Sequence, residues 1–300
     1  MPLLAEGGFD ALGWGQRELA LSCASHGGES EHVALAASML ASVGLDETVL
    51  ACGPHEPLSV RGASVVRDSG AAPTRLHNNC SGKHSAMIAR AVTHQWAVAG
   101  YENHDHAVQR DALTTVAAWA GLVPDHIPLA VDGCGVTVFA LPLANMALSY
   151  ARLAVSATAG EPTAVRIVTA MTAEPFLVGG SDRFDSLLMQ ACEGNVVCKI
   201  GAEGVHTLAI IDQGLGIALK VEDGSARAQY AAVLAILQML NAAPKVWPTA
   251  MQAFTSDTIT NTRGANVGRV MLCERLVGES LDRAPDGAMA SDGPIASPST

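Results

Sequence analysis

One stretch, Thr74-Arg75-Leu76-His77-Asn78-Asn79-Cys80-Ser81-Gly82-Lys83-His84-Ser85-Ala86-Met87, limits what this chain can build around it. It places a thiol, hydroxyls, an amine and two imidazoles where turn-forming residues give way to helical periodicity. From Met87 the apolar positions Met87, Ile88, Ala91 and Val92 recur at helical spacing, which predicts an amphipathic helix ending near Trp96. Asn78 to Gly82 are turn and cap formers, with Ser81 the expected N-cap. Cys80 and Lys83, three apart, are then presented to one side of the helix start. Unpaired amides at a helix N-terminus favour a thiolate. A capped helix with an incidental cysteine is the plainer alternative, but the density of reactive groups favours a site.

The chain has 300 residues, enough for one large domain or two modest ones. Hydrophobic residues make up 49% and aromatic ones only 4%, so a full core is available and is built mainly from Ala, Val and Leu. A net charge of -11 argues against nucleic acid and anionic membranes as partners, since both require basic faces. Lys83, Lys199, Lys220 and Lys245 are the only lysines, so a lysine inside a Gly-rich motif stands out. The seven cysteines (Cys23, Cys52, Cys80, Cys134, Cys192, Cys198, Cys273) are odd in number and widely spread. In a chain of this size that pattern fits reduced thiols in a cytoplasm better than a disulfide framework. The start, Met1-Pro2-Leu3-Leu4-Ala5-Glu6, has no basic region or long apolar run, so no signal peptide is expected. No uncharged stretch reaches membrane-spanning length, and the expectation is a soluble, cytoplasmic protein.

Pro2 to Leu12 reads as a helix already under way. Glu18 to Ala24 is a short apolar element ending at Ser25-His26-Gly27-Gly28, after which Ser30 is expected to cap a helix with Val33, Ala36, Ala37 and Leu40 on its apolar face. Ser25 at this turn fits either a nucleophile held at a bend or a loop serine bonding nearby backbone. Val49 to His55 ends another short element at Gly53-Pro54. Asp105 to Ala120 is helical in period, with His104-Asp105-His106 as its polar lead-in. Ile127 to Val131 and Val136 to Leu141 read as strands joined by the tight turn Asp132-Gly133-Cys134-Gly135. A cysteine between glycines is open to whatever approaches the turn, whereas Cys192 and Cys198 fit a structural role.

Helical segments follow at Ala144 to Ala154 and Thr163 to Thr172, and Phe176 to Asp185 leads into a helix through Ala191. Val205 to Ile211 and Ile217 to Val221, joined around Asp212-Gln213-Gly214, have a hairpin signature. Asp223-Gly224-Ser225 caps a long helix with Ala232, Ile236, Leu237 and Leu240 on one face. Asn261 to Gly264 and Val267 to Val277 read as a last edge element. The Gly, Pro, Ser, Ala and Asp composition from Pro285 onward reads as a disordered tail over 285–300.

The polar groups at Gly-rich turns are Ser25, Cys80, Lys83, Asp132, Cys134 and Lys199. Two thiolates with a nitrogen ligand suit zinc, and His77 or His84 is the ordinary choice for that nitrogen. Two unligated cysteines are the alternative, since no CxxC pair makes the spacing specific. A serine with an unusually placed lysine suits acyl transfer, provided the lysine is neutral.

Several segments resemble the rhizobial-type L-asparaginase family (asparaginase II). They are Cys23-Ala24-Ser25-His26-Gly27-Gly28-Glu29, Cys52-Gly53-Pro54-His55, His77-Asn78-Asn79-Cys80-Ser81-Gly82-Lys83-His84, Asp132-Gly133-Cys134-Gly135 and Lys199-Ile200-Gly201-Ala202-Glu203-Gly204-Val205. Arg183-Phe184-Asp185 and Leu219-Lys220-Val221-Glu222-Asp223-Gly224 match as well, in order from about Pro2 to Val277. The resemblance implies an α/β fold like the serine β-lactamase and glutaminase group, with a mostly antiparallel sheet, flanking helices and a helical part. It implies homodimers that hydrolyse L-asparagine to aspartate and ammonia. Ser25 and Lys199 then map onto a catalytic serine and lysine, and Cys80, Lys83 and Cys134 onto zinc ligands. Asp132 and His84 map onto groups lining the substrate. On this mapping Lys83 replaces the histidine ligand, and the zinc modulates the site or holds its structure rather than supplying the nucleophile. Lys199-Ile200-Gly201 ahead of a hairpin is also similar to the Lys-Thr-Gly strand of penicillin-interacting enzymes.

The family carries a Ser-x-x-Lys pair shortly before the segment matching Pro2-Leu3-Leu4, and none of the four lysines here has a serine three residues earlier. The expectation is therefore one domain over 1–284 that lacks the N-terminal strands, with the Val205 to Val221 hairpin left as an open edge beside an uncovered patch. Weak or absent turnover, with zinc or amino acid still bound, is the rival reading. A relative acting on glutamine or a β-lactam is another.

Overall fold

A computed structural model describes residues 2–256 and 258–270. Cys273, the 285–300 tail and the part of the expected last element beyond residue 270 lie outside the described residues. The chain opens with two helical turns, α1 (Pro2–Ala5) and α2 (Gly8–Ala11). They replace the continuous helix expected over Pro2 to Leu12, because Gly7 between them takes a left-handed φ of 79°.

Helices then follow in series: α3 (Gln16–Ser22), α4 (Ser30–Ser42), α5 (Val60–Ser69), α6 (Ser81–Thr93) and α7 (Ala107–Ala120). A small antiparallel hairpin, β1 (Leu129–Val131) and β2 (Thr137–Phe139), separates them from α8 (Leu143–Thr158), α9 (Pro162–Ala173), α10 (Pro175–Val178) and α11 (Phe184–Ala191). The main sheet is β3 (Val196–Ile200), β4 (Val205–Ile210) and β5 (Leu215–Lys220), antiparallel in that order. After it come α12 (Ala226–Met239), α13 (Gln252–Thr255) and a second small hairpin, β6 (Thr258–Thr260) with β7 (Asn266–Arg269). The architecture is α/β with small antiparallel sheets. Among the described residues no helix is long and apolar enough to cross a membrane.

Helix α8 packs across β4 and β5, while α9 and α11 cover β3. The approach of α8 is closest at Gly216, where any Cβ would collide with the Ala147 carbonyl. Among the described residues β3 and β5 each have a strand on one side only, and Leu215 on β5 is exposed. The main core joins Leu21, Met39, Leu177, Leu188, Met189, Leu208, Ile210 and Leu237, all essentially without exposure. Each such side chain contributes roughly 1.5–3 kcal/mol relative to exposure. A second, smaller core joins Leu40, Leu50, Cys52, Cys80, Ile88, Tyr101, Cys134 and Val136.

Several local expectations shift by one position. The N-cap of α4 is Glu29, whose N–H donates to His32 Nδ1 at 3.1 Å, and Ser30 is the exposed first helical residue. The N-cap of α6 is Cys80 rather than Ser81. The Ser81 hydroxyl is drawn inward, donating to the Leu76 carbonyl at 2.9 Å and meeting His26 Nε2 at 2.9 Å. Helix α12 buries Val233, Leu234 and Leu237 with Gln229, so only Leu237 of the expected apolar face is fully inside. The turn at Asp105 behaves as a polar lead-in: α7 starts at Ala107, and the His106 ring accepts the Val108 N–H. Strand β3 had no alternating pattern to announce it, because Val196, Val197 and Cys198 are all buried.

Candidate functional site

Cys80 is held at the start of α6 by its neighbours. The Asn78 side chain accepts the Cys80 N–H at 2.9 Å and donates to the Gly53 carbonyl at 2.7 Å, tying the turn to the loop before α5. Gly82 lets the first turn of α6 lie directly on the end of α3. A Cβ there would meet the Leu21 carbonyl oxygen and Cγ, each at 2.5 Å. Lys83, one residue later, turns toward the β1–β2 hairpin.

That hairpin supplies the other half. Asp132 Oδ1 accepts the Gly133 N–H at 2.8 Å, and Gly135 takes a φ of 91°, which closes the turn around Cys134. The Cys134 thiol donates to Asp132 Oδ2 at 3.3 Å, and Lys83 Nζ reaches Cys134 Sγ at 3.6 Å and Asp132 Oδ2 at 3.8 Å. One ligand atom each from Cys80, Asp132 and Cys134 lies within 4.8 Å of the others. Cys134 is buried at 6% exposure, against the expectation of an open thiol, because the small core closes beneath the turn.

The electrostatics separate these groups. The adjacent Cys134 thiol and the charge of Lys83 outweigh burial and bring Cys80 down to about 6, so it is the thiolate of the pair. Cys134 is pushed up to about 12 by its bond to Cys80 and by burial, with His84 acting the other way. For Lys83 burial lowers the pKa, but the charges of Cys80, Cys134 and Asp132 win and raise it, so the amine is a counter-ion to the thiolate.

Ser25 and Lys199 arrive from other elements. Ser25 follows α3, and its Oγ accepts from Asn79 Nδ2 at 2.8 Å. Asn79 is locked in turn by His55, whose Nε2 meets both its N–H and its Oδ1 at 3.1 Å, and its carbonyl accepts the His26 N–H at 3.0 Å. Ser25 is thus one residue away from the Cys80 turn. Lys199 extends from β3 and donates from Nζ to the Ile200 carbonyl at 2.8 Å, not to Ser25. Burial lowers its pKa, offset in part by the charges of Asp185 and Cys80. Lys199 and Lys83 line one cavity of about 390 Å³ together with Cys23, Met87, Arg90 and Tyr150.

His84 is fully buried, with Nδ1 2.5 Å from the Tyr101 hydroxyl, and it reaches the site through Cys134 rather than through an exposed face. His77 stands apart from the cluster, its Nδ1 accepting the Thr74 N–H at 3.0 Å. Sequence reasoning passed over Asn79, His55 and Tyr101, which hold Ser25 and His84, and left Asp185 without a role. Asn79 and His55 do lie inside the motif strings, but nothing in their spacing indicates that they pair with each other.

A family description, L-asparaginase II, matches residues 1–272. No curated protein matches the chain.

Proposed function

The chain belongs to the L-asparaginase II family, and from that premise we propose that it hydrolyses the side-chain amide of L-asparagine to aspartate and ammonia. The observation that carries the proposal is the shared cavity, in which the half-buried amine of Lys199, its pKa lowered by desolvation, faces the same space as Lys83 of the Cys80–Asp132–Cys134 cluster. In this reading Ser25 Oγ forms a bond to the amide carbon and gives its proton to neutral Lys199. The lysine passes that proton to the departing nitrogen, which leaves as ammonia, and water then cleaves the acyl ester. In this reading substrate displaces the Asn79 bond to Ser25, while neutral Lys199 keeps an N–H on the Ile200 carbonyl and takes the serine proton with its lone pair. Asp132, about one-third exposed, is the carboxylate available to the α-ammonium of an amino acid.

The donor set of Cys80, Cys134 and Lys83 fits zinc, with two soft sulfurs converging and one already a thiolate. Lys83 would have to lose its proton to join them. When bound, zinc supplies a fixed positive charge that orients substrate and keeps that amine neutral. The proposal includes a cytoplasmic homodimer.

Ammonia release from asparagine and from glutamine, measured side by side on the chain and on Lys199→Ala, tests the reading. Asparagine is expected to be preferred, with Lys199→Ala down by about a thousandfold or more. Equal turnover by Lys199→Ala, or a preference for glutamine, overturns it.

A further inference from the structure

Behind Lys199 lies a buried polar group that the reaction above does not use. Asp185, at the first turn of α11, is 4% exposed, and His206 on β4 is fully buried. Asp185 Oδ2 accepts the Ile200 N–H at 2.7 Å, and Asp185 Oδ1 faces His206 Nε2 at 3.2 Å. His206 is the cross-strand partner of Ile200, so one residue of β3 is gripped from the helix and from the next strand. The carbonyl of that same Ile200 receives the Lys199 amine at 2.8 Å. A carboxylate is thus buried one peptide away from the proposed base, with no surface role to explain it.

We propose that Asp185 is a positioning residue for Lys199, fixing the Ile200 peptide on which the amine rests and placing a negative charge behind it. The inference rests on the catalytic reading of Lys199. A metal site is the competing use, since Asp185, Cys198 and His206 bring ligand atoms within 4.8 Å of one another. Against it, Asp185 Oδ2 is committed to the Ile200 N–H, and the Cys198 thiol points at the Asp185 backbone carbonyl at 3.5 Å. That leaves one carboxylate oxygen and one imidazole, too few for a closed site. Asp185 itself is held below the usual carboxylate range: burial raises its pKa, but the neighbouring His206, the charge of Lys199 and the Ile200 N–H outweigh it.

The groups facing Lys199 define what its titration reports. Asp185 from α11 and Cys80 from α6 favour the charged amine, while Lys83 from α6 and Arg183 before α11 oppose it. Cys23 at the end of α3 and Tyr150 on α8 line the same cavity, and His206 lies behind Asp185. Asp185→Asn removes only one of these charges, so it moves the Lys199 pKa further down.

The test is kcat and KM for asparagine against pH in the full chain, for Asp185→Asn, Asp185→Glu and Lys199→Ala. Asp185→Asn is expected to shift the acidic limb of the kcat profile to lower pH by about one unit, and to lower kcat at its plateau about tenfold or more with little change in KM. Asp185→Glu keeps the charge but moves the acceptor by one methylene, so kcat falls while the limb stays in place. If Asp185→Asn does not fold, Asp185→Glu decides, and an unchanged kcat overturns the inference. An unshifted limb in folded Asp185→Asn overturns it too. If Lys199→Ala abolishes turnover while Asp185→Asn matches the parent chain, the inference falls and the catalytic reading stands. If Lys199→Ala retains full turnover, both fall.

Discussion

Lys83 and Lys199 open into one cavity, yet their surroundings push them in opposite directions. Lys83 sits among a thiolate, a second sulfur and a carboxylate, which hold it as an ammonium against the effect of burial. Lys199 stands on the main sheet with Asp185 behind it, and burial prevails, lowering its pKa. The number and closeness of anionic neighbours decides between a counter-ion and a base, not the depth of the side chain. The supports differ as well. The Lys83 region rests on the small core of Leu40, Leu50, Cys52 and Ile88, whereas the β3 strand that carries Lys199 runs through the main core.

The most forceful way to break this contrast is to remove the thiols. Cys80→Ser and Cys134→Ser, singly or together, are expected to take bound zinc from about one per chain to near zero, since structural zinc binding is worth about 10 kcal/mol or more. Cys52→Ser in the same small core should keep the metal, because that thiol points at the Arg75 carbonyl at 3.8 Å and lies outside the converging Cys80–Asp132–Cys134 group. Metal analysis after exhaustive dialysis decides it, and zinc retained by the double variant would contradict the assignment.

A smaller effect sharpens the link between the two regions. Gly82→Ala drives a methyl group into the Leu21 carbonyl and side chain, where α6 meets the helix that leads to Ser25. A stability loss of about 1–3 kcal/mol is expected in chemical denaturation. Gly133→Ala, in the hairpin turn, meets nothing within 4 Å and should change stability little. Equal losses for the two would show that the α3–α6 approach is not tight.

The smallest effect concerns pH. Burial, with help from the charge of His32, lowers the His26 pKa well below its ordinary value, so the ring is neutral in the folded chain. A folded-state pKa below the unfolded one stabilises the fold above about pH 6.5, and that contribution is lost as pH falls toward the folded value. The melting temperature should therefore decline on acidification from pH 7 to 5, and His26→Gln should flatten the decline. A profile unchanged by His26→Gln would place the acid sensitivity elsewhere.

Much of this was written in local sequence. The Asp132-Gly133-Cys134-Gly135 turn, the helix after Cys80 and the Val205 to Lys220 hairpin follow from residue periods and glycine conformations acting over a few positions. The reactive side chains could be picked out for the same reason, because Gly-rich turns leave polar groups unpacked. The N-cap of α6 could not be read so closely. Ser81 is the better capping residue by preference, but the Leu76 carbonyl and His26 draw its hydroxyl inward, and His26 comes from a distant part of the chain.

What the chain alone determined was which residues have reactive groups at turns and, through motif strings spanning most of its length, which family they belong to. Tertiary structure decided which of those groups share a space and in what charge state. The pairing of Asn79 with Ser25, of Asp185 with Ile200 and of Cys80 with Cys134 joins residues 15 or more positions apart. Hydrogen bonds and charge interactions act over a few ångströms, and only the packed helices and sheet bring such residues that close.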